Sequence, residues 1–111
     1  MSLYRDREEF VVPEPQGGEG HLLRDVLVPE EVIGGSKLLQ ITLEPGCSIG
    51  YHQHVGDCEA YYLLEGKALY NDDGEEYEVG AGDSTFCEEN HWHAIKKIGD
   101  GNVRFIALIY K

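Results

Sequence analysis

Short apolar stretches alternate with turn-forming residues along almost the whole chain. The stretches are rich in leucine, β-branched and aromatic residues, and turn signals such as NDDG and GDG recur every eight to twelve residues. This spacing is typical of a β-sandwich or a small β-barrel. Convincing helical periodicity is missing, and four prolines interrupt the first half of the chain. We therefore predict an all-β fold whose strands include LLRDVLV, KLLQITL, EAYYLLEG, KALYN, EEYEV, STFC, HAIKKI and VRFIALIY.

Local signals refine this picture at three places. NDDG lies between KALY and EEYEV, where it predicts a tight hairpin. VPEEVIGG could form a single helical turn. Gly17, Gly18 and Gly20 lack the strand–glycine–helix context of a phosphate-binding loop, so we interpret them as a turn.

The length of 111 residues fits one domain that can bury a real core. Residues 1–19 are predicted to form an N-terminal arm or edge strand, and residues 20–111 a single antiparallel β-barrel domain. The arm contains FVV, which could extend the sheet of a second copy, because an open sheet edge otherwise invites uncontrolled pairing. A homodimer is therefore expected.

The net charge of −12, from 21 acidic against nine basic side chains, argues against nucleic acid as a partner, because such a surface repels phosphate. The longest apolar run, FIALIY, is far shorter than the roughly 20 residues that a membrane-spanning helix needs. The N-terminal residues are charged and do not resemble a signal peptide. Cys47, Cys58 and Cys87 are odd in number and have no CxxC spacing, which favours small buried hydrophobes in a reducing, cytoplasmic setting.

The stretch GCSIGYHQHVGDCEAYYLLEG carries the clearest chemistry. Side chains two apart on a strand point to the same face, so His52 and His54 converge if that face is the barrel interior. A chain reversal at VGDC would place Glu59 on the adjacent strand, facing the same pocket. His93, which opens a later apolar strand, could supply a fourth ligand. Imidazole and carboxylate together suit Mn, Fe, Co, Ni, Cu or Zn.

The same stretch resembles the first motif of the cupin superfamily. Its anchors are a glycine, an HxH pair, a glutamate and a second glycine, which here are Gly46, His52, His54, Glu59 and Gly66. The family's second motif is matched from Gly82 to His93, with departures at Glu88, Asn90 and Lys97. The resemblance covers roughly residues 38–109 and is that of a small single-domain member.

The resemblance implies a jelly-roll β-barrel, a double-stranded β-helix, with one divalent metal held by three histidines and a glutamate. Those ligands would be His52, His54, Glu59 and His93 in this sequence. The resemblance also favours a homodimer, because small cupins commonly form dimers. The alternative is a barrel that keeps the residues but is empty or holds an organic ligand.

Other candidates have weaker support. Tyr61 should face inward with Glu59 and could present its hydroxyl to a substrate, although core packing explains it equally well. His91 could be a ligand or a pocket acid, but a place in the turn before its strand is the simpler interpretation. Lys97 shares the parity of His93 and could place a cation near the pocket rim; the alternative is a solvated strand end.

The fold does not decide the function, because cupins carry many unrelated chemistries. One hypothesis is an enzyme of dioxygenase, isomerase or decarboxylase type that acts on a small sugar, keto acid or phenol at the metal. The other is a non-catalytic sensor or small-ligand-binding module. A set of three histidines and a carboxylate, without cysteine, suits an ion that keeps one or two positions open to a ligand, unlike a closed structural zinc site.

Overall fold

The computed structural model describes residues 3–111, and the chain over this range is almost entirely strand and turn. A single turn of 3₁₀ helix at Glu30–Ile33 confirms the helical turn expected in VPEEVIGG, and a second lies at Pro15–Gly17. The strands are β1 (Glu9–Pro13), β2 (His21–Val28), β3 (Lys37–Leu43), β4 (Ser48–Gln53), β5 (Cys58–Glu65), β6 (Lys67–Asp72), β7 (Glu75–Gly80), β8 (Ser84–Cys87), β9 (Trp92–Ile98) and β10 (Val103–Tyr110).

The strands form two antiparallel sheets. The larger sheet has the order β1-β2-β3-β10-β5-β8, and the smaller has the order β4-β9-β6-β7. Sequence neighbours therefore often lie in different sheets, as they do in a jelly roll. The prediction of an all-β antiparallel barrel is confirmed. Within residues 3–111, no helix is long and apolar enough to cross a membrane.

The core lies between the inner faces of the two sheets. Alternation along β10 buries Val103, Phe105 and Ala107, and β5 contributes Tyr61 and Leu63 to the same layer. The ring centroids of Phe105 and Tyr61 lie 4.6 Å apart. This packing fills the barrel below the site and fixes the strands that carry its side chains.

The hairpin predicted at NDDG joins β6 to β7. Its central residues, Asp73 and Gly74, both have positive φ angles, of 50° and 99°. That geometry matches the right-handed twist of the two strands. The Gly74 amide donates to the Asn71 side chain at 2.7 Å, which closes the turn. The hairpin prediction is confirmed.

A close backbone contact holds the 3₁₀ turn at residues 15–17 against β4. A Cβ atom at Gly50 would lie 2.2 Å from the Gln16 carbonyl oxygen, and one at Gly18 would lie 2.1 Å from that of Ser48. Only glycine allows this approach. The contact brings the N-terminal segment to the mouth of the barrel, beside His52 of β4.

The N-terminal arm pairs with its own chain. β1 runs antiparallel to β2, from Glu9 opposite Asp25 to Pro13 opposite His21, and forms one edge of the larger sheet. Arg7 continues the contact, because its guanidinium lies 2.8 Å from the Asp25 carboxylate. FVV therefore extends the sheet of its own chain.

Candidate metal centre

Four side chains converge at the mouth of the barrel: His52 of β4, His54 just after it, Glu59 of β5 and His93 of β9. Each offers one ligand atom, and these atoms all lie within 4.8 Å of one another. His52 is half-buried and the other three are buried. The sequence predicted this set, and the structure brings all four members together.

Strand pairing explains part of the convergence. β4 and β9 are antiparallel, and His52 lies opposite His93. A register shift between Ile49 and His52 interrupts the regular ladder. Such an irregularity re-aims the side chains that follow it, as β-bulges do near sites in other proteins.

The route to Glu59 differs from the one expected. β4 and β5 are not neighbours in a sheet; β4 belongs to the smaller sheet and β5 to the larger. The prediction of an adjacent strand is wrong because the turn at residues 54–57 crosses between the two sheets. Glu59 thus reaches the histidines from across the barrel, and the prediction that it shares their pocket holds.

The distances between ligand atoms fit a metal ion. His54 Nε2 lies 3.0 Å from Glu59 Oε1 and 2.9 Å from His93 Nε2, and His93 Nε2 lies 3.1 Å from Glu59 Oε1. Around an ion with bonds of about 2.1 Å, neighbouring ligands at right angles lie about 3.0 Å apart. The cluster could therefore hold a divalent transition metal.

A second layer of hydrogen bonds orients the imidazoles. His52 Nδ1 lies 2.7 Å from the Gly50 carbonyl oxygen, and His54 Nδ1 lies 2.7 Å from Asp57 Oδ1. His93 Nδ1 lies 2.9 Å from the Tyr70 hydroxyl oxygen. When each Nδ1–H donates to its acceptor, each Nε2 is left to bind a metal, as in many metal sites.

Asp57 and Tyr70 were missed by sequence reasoning. Asp57 follows His54 by three residues and lies in VGDC, where an aspartate is an ordinary turn residue, so its presence indicated no further role. Tyr70 reaches His93 through the pairing of β6 with β9, which places Asp72 opposite His93. Only the inward parity of Tyr70 could have suggested it, and that parity is shared by many core residues.

The electrostatics of the cluster favour a charged carboxylate. Burial alone would raise the pKa of Glu59, but hydrogen bonds from His54 and His93 outweigh it and lower the pKa to about 2. The hydrogen bond to Glu59, helped by Asp57 and opposed by burial, raises the pKa of His54. Burial lowers the pKa of His52. Glu59 is therefore ionised at any physiological pH.

Tyr61 lies at the floor of the site. It is buried and stacks on His93, with ring centroids 5.1 Å apart and planes 22° apart. Burial, reinforced by the Glu59 carboxylate, raises the pKa of the Tyr61 phenol, so it stays protonated. Tyr61 therefore both packs in the core and lines the cleft beside the cluster.

His91 and Lys97 lie apart from the cluster. His91 is exposed in the turn before β9, and its Nδ1 pairs with the Asp73 carboxylate. Lys97 is buried, and its ammonium donates to the carbonyl oxygens of Ile98 and Gly99, both at 2.5 Å. Both expectations for Lys97 are wrong: it is neither a cation at the pocket rim nor a solvated strand end, because its amine satisfies carbonyls of the following turn.

The cluster opens into a cleft of about 200 Å³. Three of the four cluster residues, with Tyr61, form one wall. The remaining walls are mostly apolar, apart from Arg24 of β2 and Gln16; the apolar residues are Val12, Pro15, Leu22, Leu39, Ile41, Ile49 and Ile109. A metal at the cluster would therefore face a pocket of the size of a small organic molecule.

Residues 39–109 match the family described as the cupin domain. The chain belongs to this family. One relative of this cupin, from Thermotoga maritima, is named oxalate-binding protein; it is 32% identical over 109 residues, which cover 93% of this chain and 90% of the relative. An uncharacterised protein of Methanocaldococcus jannaschii is 30% identical over 93 residues, covering 83% of this chain and 74% of its own.

Solved structures give the same picture. A crystal structure described as a predicted oxalate decarboxylase of Thermotoga maritima superposes on this cupin with a TM-score of 0.92, 28% identity and 96% coverage of both chains. One described as a putative sugar phosphate isomerase of Acidithiobacillus ferrooxidans has a TM-score of 0.77 and 22% identity, with 96% of this chain and 69% of that chain covered. The latter likeness is one of fold alone.

Proposed function

We propose that this cupin binds one divalent transition metal, drawn from Mn, Fe, Co, Ni, Cu and Zn, through His52, His54, Glu59 and His93. A metal held there would bind a small carboxylate ligand in the adjoining cleft. The observation that carries the proposal is the convergence of the four ligand atoms beside a pocket of about 200 Å³. The Thermotoga maritima relative, named oxalate-binding protein, supports a compact carboxylate as the ligand class.

The residues around the metal have separate tasks. Asp57 and Tyr70 orient the rings of His54 and His93 through Nδ1, which would leave each Nε2 available to a metal. The apolar walls exclude water and strengthen the contact between the ligand and the charged groups. When bound, the metal supplies Lewis-acid chemistry to a ligand oxygen.

Catalysis is the second candidate, and Tyr61 is the observation that favours it. Its protonated phenol lines the cleft beside Glu59, where it could donate a hydrogen bond to a bound molecule and stabilise charge that develops on it. A metal-dependent decarboxylase, dioxygenase or isomerase would use such a group. Aerobic turnover tests against sugars, keto acids, oxalate and phenolics distinguish an enzyme from a sensor or binding module.

The test of the binding function is direct. Protein purified without chelator is analysed for metals and then titrated with oxalate or a 2-keto acid, while the spectrum of the metal and the heat of binding are recorded. His52→Ala and His93→Ala should lose most of the metal. His21→Ala is the matched control, because His21 pairs with Glu44 on the surface at 2.6 Å. Full occupancy in the first two variants, or no response to millimolar anions, would sink the proposal.

We propose further that the protein is a homodimer joined through the outer face of the larger sheet. That face carries exposed apolar side chains, among them Tyr62, Phe86, Leu108 and Tyr110. The rings of Phe86 and Tyr110 stack with centroids 6.4 Å apart. On a chain of net charge −12, this patch of apolar side chains is where a second copy meets little repulsion.

The three free cysteines support a reducing compartment such as the cytoplasm. Cys47 and Cys87 are buried, as expected for small apolar side chains, and Cys58 is partly buried. Burial raises the pKa of Cys87 to about 12, which makes it a poor nucleophile.

A further inference from the structure

Arg24 is the cationic side chain in the wall of the metal cleft. It lies on β2, opposite Ile41 of β3, whose side chain is buried in the core. Its side chain lines the same cleft as His52, His54 and Glu59. An arginine on the inner face of a jelly roll is unusual, because cations rarely leave water without a partner.

The guanidinium of Arg24 has no hydrogen-bond or ion-pair partner among residues 3–111. Its Nε is buried and makes no hydrogen bond, and no ion pair joins Arg24 to any carboxylate among residues 3–111. By contrast, Arg7 is paired with Asp25 and Arg104 with Glu65, in a chain that has 21 acidic residues. A partly buried, unpaired cation is unfavourable unless something outside the chain neutralises it.

We infer that Arg24 binds the second anionic group of a ligand whose first carboxylate lies at the metal. The ligand class is thus a compact dicarboxylate, with oxalate as the probe. A guanidinium presents its N–H donors in a planar fork that matches both oxygens of a carboxylate, and this pairing strengthens where water is excluded. Arg24 therefore makes the cleft selective for dianions over monoanions of the same size.

This inference rests on the proposed binding function, so its test compares two anions that differ in charge. Oxalate and glycolate both can chelate a metal, but glycolate carries a single negative charge. Calorimetric titration of the Mn²⁺-loaded protein gives both dissociation constants for the wild type, Arg24→Gln and Arg24→Lys. Lys37→Gln is the control for loss of a positive charge, since Lys37 is exposed and does not line the metal cleft.

The expected result is selective. Hydrogen bonds to charged groups imply that Arg24→Gln weakens oxalate binding about 10- to 100-fold, whereas glycolate changes by less than about threefold. Arg24→Lys keeps the charge but loses the fork, so its oxalate affinity falls in between. Lys37→Gln leaves both affinities close to those of the wild type.

Metal content and melting temperature of the ligand-free variants are measured in parallel. Because the Arg24 Nε is buried without a partner, Arg24→Gln should leave the metal content close to that of the wild type and the melting temperature equal or higher. Oxalate should then raise the melting temperature of the wild type more than that of the variant.

The outcomes separate the two ideas. Equal losses for oxalate and glycolate in Arg24→Gln, or no loss of oxalate, overturn the role of Arg24 and leave metal-dependent carboxylate binding intact. A metal-loaded wild type that binds glycolate but not oxalate also overturns the role of Arg24 and leaves metal-dependent carboxylate binding intact. A metal-loaded wild type that binds neither anion overturns the proposed function, and the role of Arg24 with it. If Arg24→Gln does not fold, the ratio of the two affinities in Arg24→Lys decides.

Discussion

Asp57→Asn tests whether the second layer of hydrogen bonds tunes the metal centre. The substitution keeps the shape of the side chain and removes its charge. His54 Nδ1 lies 2.7 Å from Asp57 Oδ1, so an amide oxygen can still accept the bond, but it polarises the ring less. The metal affinity of the variant should therefore fall.

The structure sets the size of the effect. Loss of such partners weakens metal binding by about 10- to 100-fold in other sites. The Asp57 side chain is 30% exposed, so water screens part of its charge and the lower end of that range applies. We expect about a tenfold loss of affinity at pH 8, which is about 1.4 kcal/mol.

The sign of the pH dependence adds a second check. The Glu59 hydrogen bond and Asp57, against burial, raise the pKa of His54 in the metal-free protein. A proton on Nε2 must leave before the metal binds, so affinity falls in both proteins as the pH drops through the raised pKa of His54. The variant has the lower His54 pKa and suffers less from this competition, so its deficit should shrink between pH 8 and pH 6.

The assay is a competition titration of Mn²⁺ or Zn²⁺ against a chromophoric chelator at both pH values. Asp100→Asn is the matched control, because Asp100 is exposed in a turn away from the cluster. An Asp57→Asn protein with wild-type affinity at pH 8 would refute the reasoning. So would a deficit that grows as the pH falls.

Three further predictions concern stability and assembly. The pKa of Glu59 is lowered to about 2, so its ionised form stabilises the metal-free fold above about pH 4.3. This contribution to stability is lost as the pH falls toward 2. Glu59→Gln should therefore weaken the pH dependence of stability between about pH 4.3 and pH 2, measured by urea denaturation. Gly50→Ala should destabilise the fold by several kcal/mol in the same denaturation assay because its Cβ would lie 2.2 Å from a carbonyl oxygen, whereas Gly80→Ala meets its nearest atom at 3.4 Å and should cost about 1 kcal/mol or less. Leu108→Glu, on the outer face of the larger sheet, should give a monomer in light scattering. Tyr77→Glu, in the smaller sheet, is the control and should leave the mass unchanged. If both variants remain dimers, the outer face of the larger sheet is not the interface.

The sequence predicted that these four side chains converge because its strongest signals are local. His52 and His54 are two residues apart, and strand parity alone places them on one face. Glu59 was placed in the right pocket by the wrong route, since parity does not tell which sheet a strand joins after a turn. That choice depends on the packing of the whole barrel.

The remaining features depend on pairings that a single sequence does not reveal. Parity gave Lys97 the same face as His93 but not its distance along the strand, and four residues of strand amount to about 13 Å. Tyr70 and Arg24 reach the site from β6 and β2, which meet it only through the sheet order. Their side chains look like ordinary strand residues until the topology is known.

The division of the ligands between sheets has a mechanical consequence. The three histidines belong to the smaller sheet and the loop that follows it, and Glu59 belongs to the larger sheet, so a bound ion would cross-link the two layers at the open end of the barrel. The unfolded chain lacks this preformed set of four ligands, so it binds an ion less tightly. Tighter binding to the folded state therefore raises the free energy needed to separate the two sheets. Metal loading should slow amide exchange in β4 and β5 together, although these two strands share no ladder of hydrogen bonds.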